Sequence, residues 1–144
     1  MPEVRKPAYQ TVLPAFAKIN LRLDIGAKRE DGYHQLRTIF QTVSLCDELR
    51  LRLMRRPAIE LKIIGNEALS KEPAENNLVY RAVDLLRRDF KIRSGVQVEL
   101  IKKIPAGGGL GGGSSDAAAA LLGYLRLIRR ALPLARLHLA APLR

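Results

Sequence analysis

A chain of 144 residues, 47% apolar and 27% charged, has the size and composition of one soluble domain able to bury a single core. No apolar run approaches the roughly 20 residues of a membrane span, and the opening MPEVRKPAYQ lacks the apolar stretch of a signal peptide, so a cytoplasmic protein without a membrane partner is expected. One cysteine, Cys46, excludes an internal disulfide and fits a reducing compartment, and two histidines, His34 and His138, exclude a Cys/His metal cluster. The net charge of +11 would draw phosphates of any kind, but five arginines and no acidic residue follow Asp116, and without them the balance is +6.

Residues 15–25 alternate. Ala17, Ile19, Leu21, Leu23 and Ile25 share one face, while Phe16, Lys18, Asn20, Arg22 and Asp24 share the other, which predicts a half-buried strand. Asp31-Gly32 then marks a turn. Residues 37–43, 47–54 and 59–64 read as further strands, and 65–76 as a polar loop. Asn76 or Asn77 can cap a helix reaching to about Phe90, since Leu78, Ala82, Leu86 and Phe90 recur at helical spacing. A strand over 96–101 and an alanine-rich helix opened by Ser114-Ser115-Asp116 and ending before Pro133 complete the chain. The order β–β–β–β–α–β–α predicts an α+β domain with a mainly antiparallel sheet and packed helices.

Between that last strand and helix lies Pro105-Ala106-Gly107-Gly108-Gly109-Leu110-Gly111-Gly112-Gly113-Ser114-Ser115-Asp116, with six of the eleven glycines. Glycine reaches positive φ freely and lets a ligand touch the backbone. Successive N–H groups can then converge on one anion, and the following helix N-terminus adds its partial positive charge. The run contains G-x-G-x-x-G, as so many glycines would by accident. The acidic residue expected about 20 positions later is missing, which argues against a dinucleotide fold, and the absence of Gly-Lys-Ser/Thr excludes a Walker A loop. A plain linker is the alternative, and linkers are seldom pinned between a strand and a capped helix.

PAGGGLGGGSSDAAAA resembles the phosphate-binding motif of the GHMP kinase superfamily (galactokinase, homoserine kinase, mevalonate kinase and phosphomevalonate kinase). Ala17-Lys18-Ile19-Asn20-Leu21, Asp31-Gly32-Tyr33-His34 and Asn77-Leu78 narrow the match to its members that phosphorylate a cytidine diphosphate conjugate of methylerythritol in non-mevalonate isoprenoid synthesis. The resemblance spans roughly residues 13–123 and implies a GHMP-kinase N-terminal domain, a fold shared with a ribosomal protein domain. It implies ATP as co-substrate with Mg²⁺, the latter near Ser114 or Ser115, and a small-molecule cytidine diphosphate conjugate as partner. On this resemblance Lys18 sits beside the reacting hydroxyl and the γ-phosphate, with Asn20 on the same face. Tyr33 stacks on the cytosine and His34 bonds its edge. Asn77 and Lys102 lie near adenine and ribose, and residues 105–115 hold the phosphates. From charge alone, Lys18 would be a solvated strand lysine; a helix cap and a strand-end lysine are the plain readings of Asn77 and Lys102.

The resemblance also implies an aspartate from an Asp-Val-Pro-Phe-Phe-like segment downstream of the glycine-loop helix, and a second, C-terminal domain. Neither is found in these 144 residues. The expected division is therefore 1–123 as the N-terminal ATP-binding domain and 124–144 as a divergent Leu/Arg/Ala/Pro-rich tail. That tail is either the product of a frameshift or truncated gene or the arginine-rich helix of a short paralogue. Apolar surface left where a second domain would dock would favour aggregation or a homodimer. A homoserine- or mevalonate-type GHMP kinase, a non-catalytic basic RNA- or nucleotide-binding domain, and an incomplete, inactive truncated product are the alternatives. The scattered aromatics form no stacking platform, which argues against nucleic acid.

Overall fold

The computed structural model describes residues 11–131. Four strands form one mixed sheet: β1 (Thr11–Lys28), β2 (His34–Met54), β3 (Ile59–Ile64) and β4 (Gly95–Ile101), in the order β1-β2-β4-β3. β1 and β4 run antiparallel to β2, and β3 runs parallel to β4. The parallel pair requires a crossover, which α1 (Glu67–Lys71), a short 3₁₀ turn (Ala74–Asn76) and α2 (Leu78–Asp89) supply. α3 (Gly112–Leu127) follows the glycine loop and packs on α2, β1 and β2.

Period two decides which sheet face is covered. Leu49 and Leu51 of β2 and Val96, Val98 and Leu100 of β4 point under the helices and are fully buried, meeting Val79, Ala82 and Val83 of α2 and Ala120, Tyr124 and Leu125 of α3. The intervening residues carry charge on the open face, where Arg50 bridges Glu48 and Glu99. Gly123 allows the close approach of α3: a Cβ there would come within 2.7 Å of Leu13 and 3.0 Å of Leu51. α3 does not stop at the composition change after Gly123. Tyr124 is fully buried, with its hydroxyl donating to the Ser94 carbonyl.

Three expectations need correction. Residues 37–43 and 47–54 belong to one strand, not two. Between Phe16/Cys46 and Lys18/Thr42 the ladder carries two extra residues on β2, so the break in alternation around Ser44 is an irregularity within a continuous strand. The polar stretch 65–76 is partly helical, because Asn66 caps α1 by accepting from Leu69 N–H at 3.0 Å. The half-buried strand is buried only in its first half. Ala15 and Ala17 are in the core, but Ile19, Leu21, Leu23 and Ile25 are exposed. β4 pairs with β2 only from Glu48 to Met54, so beyond that point β1 and β2 continue as a two-stranded ribbon with nothing behind it among the described residues.

Candidate functional site

Where β4 leaves the sheet, the chain forms the glycine loop over 105–111 and re-enters structure as α3, with Gly111 as its N-cap. Gly107, Gly109 and Gly111 adopt φ of 76°, 68° and 70°, left-handed values at alternate positions that side chains other than glycine's adopt only with strain. Such alternation turns neighbouring N–H groups toward one side and makes an anion-binding concavity. The loop, the opening of α3 and the start of α2 surround a cavity of about 370 Å³. Asn77, Lys102, Ser114 and every residue from 105 to 113 line it, together with Asp116. Ser115 is not part of the lining; its backbone N–H donates to Gly111 in the first turn of α3.

Lys18 belongs to this cluster although 91 residues separate it from the loop. Its backbone N–H donates to the Leu110 carbonyl at 2.9 Å, and its Nζ donates to the Gly109 carbonyl at 2.8 Å. Its stem crosses Gly111 so closely that a Cβ at that glycine would lie 3.2 Å from Lys18 Cγ and Cε. A strand ammonium is thereby fastened to the glycine loop, although Lys18 is not among the residues that line the cavity. Asn20, two residues along, accepts from the Thr38 hydroxyl at 3.1 Å.

Asn77 caps α2, accepting from Val79 N–H at 2.8 Å, and also faces the cavity. Lys102 differs from its sequence reading in its surroundings. Its side chain is 6% exposed, and Nζ donates to Asp47 and, at 2.8 Å, to Asp116. Asp47, on β2, is fully buried; its other oxygen accepts from the Lys103 and Ile104 N–H groups at 2.5 and 2.8 Å. Burial raises the Asp47 pKa, but the Ile104 N–H, the Lys102 ammonium and the Lys103 N–H outweigh it, and the carboxyl ends below its ordinary value. Burial likewise works against the Lys102 charge, and its bonds to Asp116 and Asp47 raise its pKa on balance. Among the described residues Asp116 has only Lys102 as a hydrogen-bond donor, and its Oδ1 is buried with no partner among them. There burial, joined by the neighbouring Asp47 carboxylate, prevails over Lys102 and pushes the pKa to about 7. Asp47 escaped sequence reasoning, and Asp116 reads in the sequence only as the end of the glycine motif and part of the opening of α3; neither residue carries a signal that predicts their meeting.

Tyr33 and His34 are not brought to the loop. They sit at the ribbon tip, where Asp31 accepts from Tyr33 N–H at 3.1 Å and Tyr33 is 55% exposed. His34, Arg29, Arg37, Gln35 and Asp24 line a separate, open cavity of about 690 Å³. Among the described residues no group of three His, Cys, Asp or Glu side chains converges as a metal site, and no helix is long and apolar enough to cross a membrane.

Residues 77–143 match the family described as GHMP kinases N terminal domain. A protein of Lachnospira eligens named 4-diphosphocytidyl-2-C-methyl-D-erythritol kinase is 45% identical over 125 residues, which cover 87% of this chain and 42% of that one. One of the same name from Pseudoalteromonas translucida is 45% identical over 132 residues, covering 91% and 45%. A crystal structure of 4-(cytidine 5'-diphospho)-2C-methyl-D-erythritol kinase superposes with a TM-score of 0.73 at 38% identity, over 93% of this chain and 46% of that one. Homoserine kinase from Cytophaga hutchinsonii shares the fold at a TM-score of 0.65 and 22% identity. The chain thus spans less than half the length of these relatives.

Proposed function

From the premise that this chain belongs to the GHMP kinases, whose N-terminal domain it carries, we propose that it serves the ATP-dependent phosphorylation of the methylerythritol hydroxyl of 4-diphosphocytidyl-2-C-methyl-D-erythritol. The observation that carries the reading is the seating of Lys18 on the glycine loop through Leu110 and Gly109. Two motifs far apart in sequence are in contact there, which supports reading that contact as the meeting point of the γ-phosphate and the attacking hydroxyl. The relatives named for this reaction supply the substrate class.

In this reading residues 105–113 and the α3 N-terminus hold the triphosphate, and Asn77 faces the nucleoside. The acceptor oxygen attacks the γ-phosphorus in line, the bond to the ADP oxygen breaks, and the hydroxyl proton is released to solvent water, because the aspartate that the resemblance implies as its acceptor is not among these 144 residues. Little covalent chemistry falls to the protein, so positioned charge does most of the catalysis. The Lys18 ammonium is placed to offset the negative charge spread over the transferred group. Mg²⁺ bound mainly through nucleotide phosphates and water needs few protein ligands. The cavity's donor set fits that mode, with the hydroxyl of Ser114 as the contribution from this chain, and the ion would supply further neutralisation of phosphate charge. Tyr33 and His34 are assigned to the cytosine, at the far end of the conjugate.

Incubating the chain with ATP, Mg²⁺ and the cytidine conjugate and following ³¹P resonances tests the reaction. Calorimetry with the non-hydrolysable analogue AMP-PNP tests the loop by itself. AMP-PNP is expected to bind and Lys18→Ala to weaken it. Binding of the cytidine conjugate that is indifferent to Tyr33→Ala would remove the substrate assignment while leaving the nucleotide site standing.

A further inference from the structure

We infer that Asp47, Lys102 and Asp116 are positioning residues, a buried side-chain clasp that closes the base of the glycine loop and holds it in its nucleotide-receiving shape. The inference rests on the reading of that loop as a phosphate site.

The clasp begins where the ladder ends. Glu48 and Ile101 are the final paired residues of β2 and β4, and past Lys102, whose N–H still reaches Ile64 of β3, the Lys103 and Ile104 N–H groups bond to no strand backbone. Asp47, one residue beyond that pair, replaces the missing strand: its Oδ1 accepts from both Lys103 and Ile104. Unpaired N–H groups at a buried exit would otherwise be costly. Ile104 is itself 2% exposed, so the chain entering the loop is pinned by carboxylate and core together.

Lys102 then ties this exit to the helix on the other side. Its backbone N–H donates to Ile64 of β3 at 2.8 Å, while its ammonium spans Asp47 of β2 and Asp116 of α3. The Lys102–Asp116 bond joins residues 14 apart in sequence, and the whole glycine loop lies between them. A loop this rich in glycine carries the largest backbone freedom to be lost on ordering. Fixing its two ends against each other removes much of that freedom. The fit is close: a Cβ on Gly112 would approach Lys102 Nζ to 3.4 Å. All three side chains are at least nine-tenths buried, so the clasp is shielded from competing water.

Asp116→Ala and Asp116→Asn separate the positioning role from general support of the fold. Asparagine keeps an oxygen to accept from Lys102; alanine does not. Hydrogen exchange on the full chain without ligand reads the clasp directly. With Asp116→Ala the amides of 106–113 should exchange about tenfold faster while those of Leu51 and Val98 keep their protection, the pattern of a local opening. AMP-PNP with Mg²⁺ should bind about tenfold more weakly, as misplacement of a binding loop predicts. Asp116→Asn should restore both toward wild type, and Lys102→Met should reproduce the alanine phenotype. Unchanged loop exchange in Asp116→Ala, or loop and core protection lost in equal measure, overturns the clasp. Failure of the wild type to bind AMP-PNP overturns the phosphate reading instead, and the exchange measurement still judges the clasp.

Discussion

Replacing Asp116 by asparagine should flatten the pH dependence of stability near neutrality. The wild-type carboxyl has an ordinary pKa of 3.8 and a folded value of about 7, raised by burial and only partly offset by Lys102. Between those values the folded state holds a proton that the unfolded state has released, so stability falls as pH rises and levels off above about 7. Over pH 5 to 8 the loss is on the order of 2–3 kcal/mol, a large part of the roughly 5–15 kcal/mol that holds a domain together. The other shifted groups lie outside this window. Asp47 is depressed, so its contribution is lost only as pH falls below 3.8, and Lys102 and Tyr124 are raised from 10.5 and 10.0. Urea unfolding at pH 5, 6.5 and 8 measures the slope. Wild type should lose stability across the series, and Asp116→Asn should lose markedly less. A wild-type stability that rises from pH 5 to 8, or a mutant slope equal to the wild-type slope, would refute the assignment of Asp116 as the burdened member of the clasp.

Gly111→Ala should be damaging twice over. Its φ of 70° costs alanine about 1–2 kcal/mol, and the new methyl meets the Lys18 stem at 3.2 Å, so thermal stability should drop and AMP-PNP affinity with it. Asn77→Ala removes the α2 cap at a cost of about 1 kcal/mol in urea melts. If Asn77 also touches the nucleoside, AMP-PNP should bind more weakly than Asn66→Ala, the cap of α1, allows. The ribbon should self-associate through its exposed Leu21, Ile39 and Phe40, and the triple change of these residues to threonine should lower the sedimentation-derived mass at equal concentration. An unchanged mass distribution would show that the ribbon is not the contact.

The two kinds of information in the sequence were unequally legible. Short-range signals read well: Asn77 caps its helix, Asp31-Gly32 turns the chain, and the glycine run joins strand to helix, because each depends on a few adjacent residues. The Ile19–Ile25 alternation was real but misleading. Period two sorts side chains onto faces and says nothing about whether a third layer covers either face. Here cover ends where β4 stops pairing with β2. Strand irregularities were invisible for a related reason, since extra residues around Ser44 show only against the partner strand. The clasp was hidden most completely. Asp47, Lys102 and Asp116 come from three elements, and their meeting depends on sheet order and on how α3 packs.

Burying two carboxylates around one ammonium is a poor route to stability, because removing charges from water costs more than their pairing reliably returns. A well-packed apolar trio would hold β2, β4 and α3 together at less expense. What an apolar trio cannot do is accept from the Lys103 and Ile104 N–H groups at the end of the ladder while also bonding across to α3. The orphaned Asp116 oxygen and its raised pKa are then the residual strain of a joint built for geometry. The same logic separates the two ends of the ribbon. Lys18 sits where β1 is still anchored to the loop and the core, whereas Tyr33 and His34 ride on the uncovered tip about ten strand residues further on, roughly 30 Å of chain. In the proposed reaction the phosphate end of the site is therefore fixed by the scaffold, and the cytosine end depends on how the ribbon bends at its register shifts beside Asn20 and Ile25.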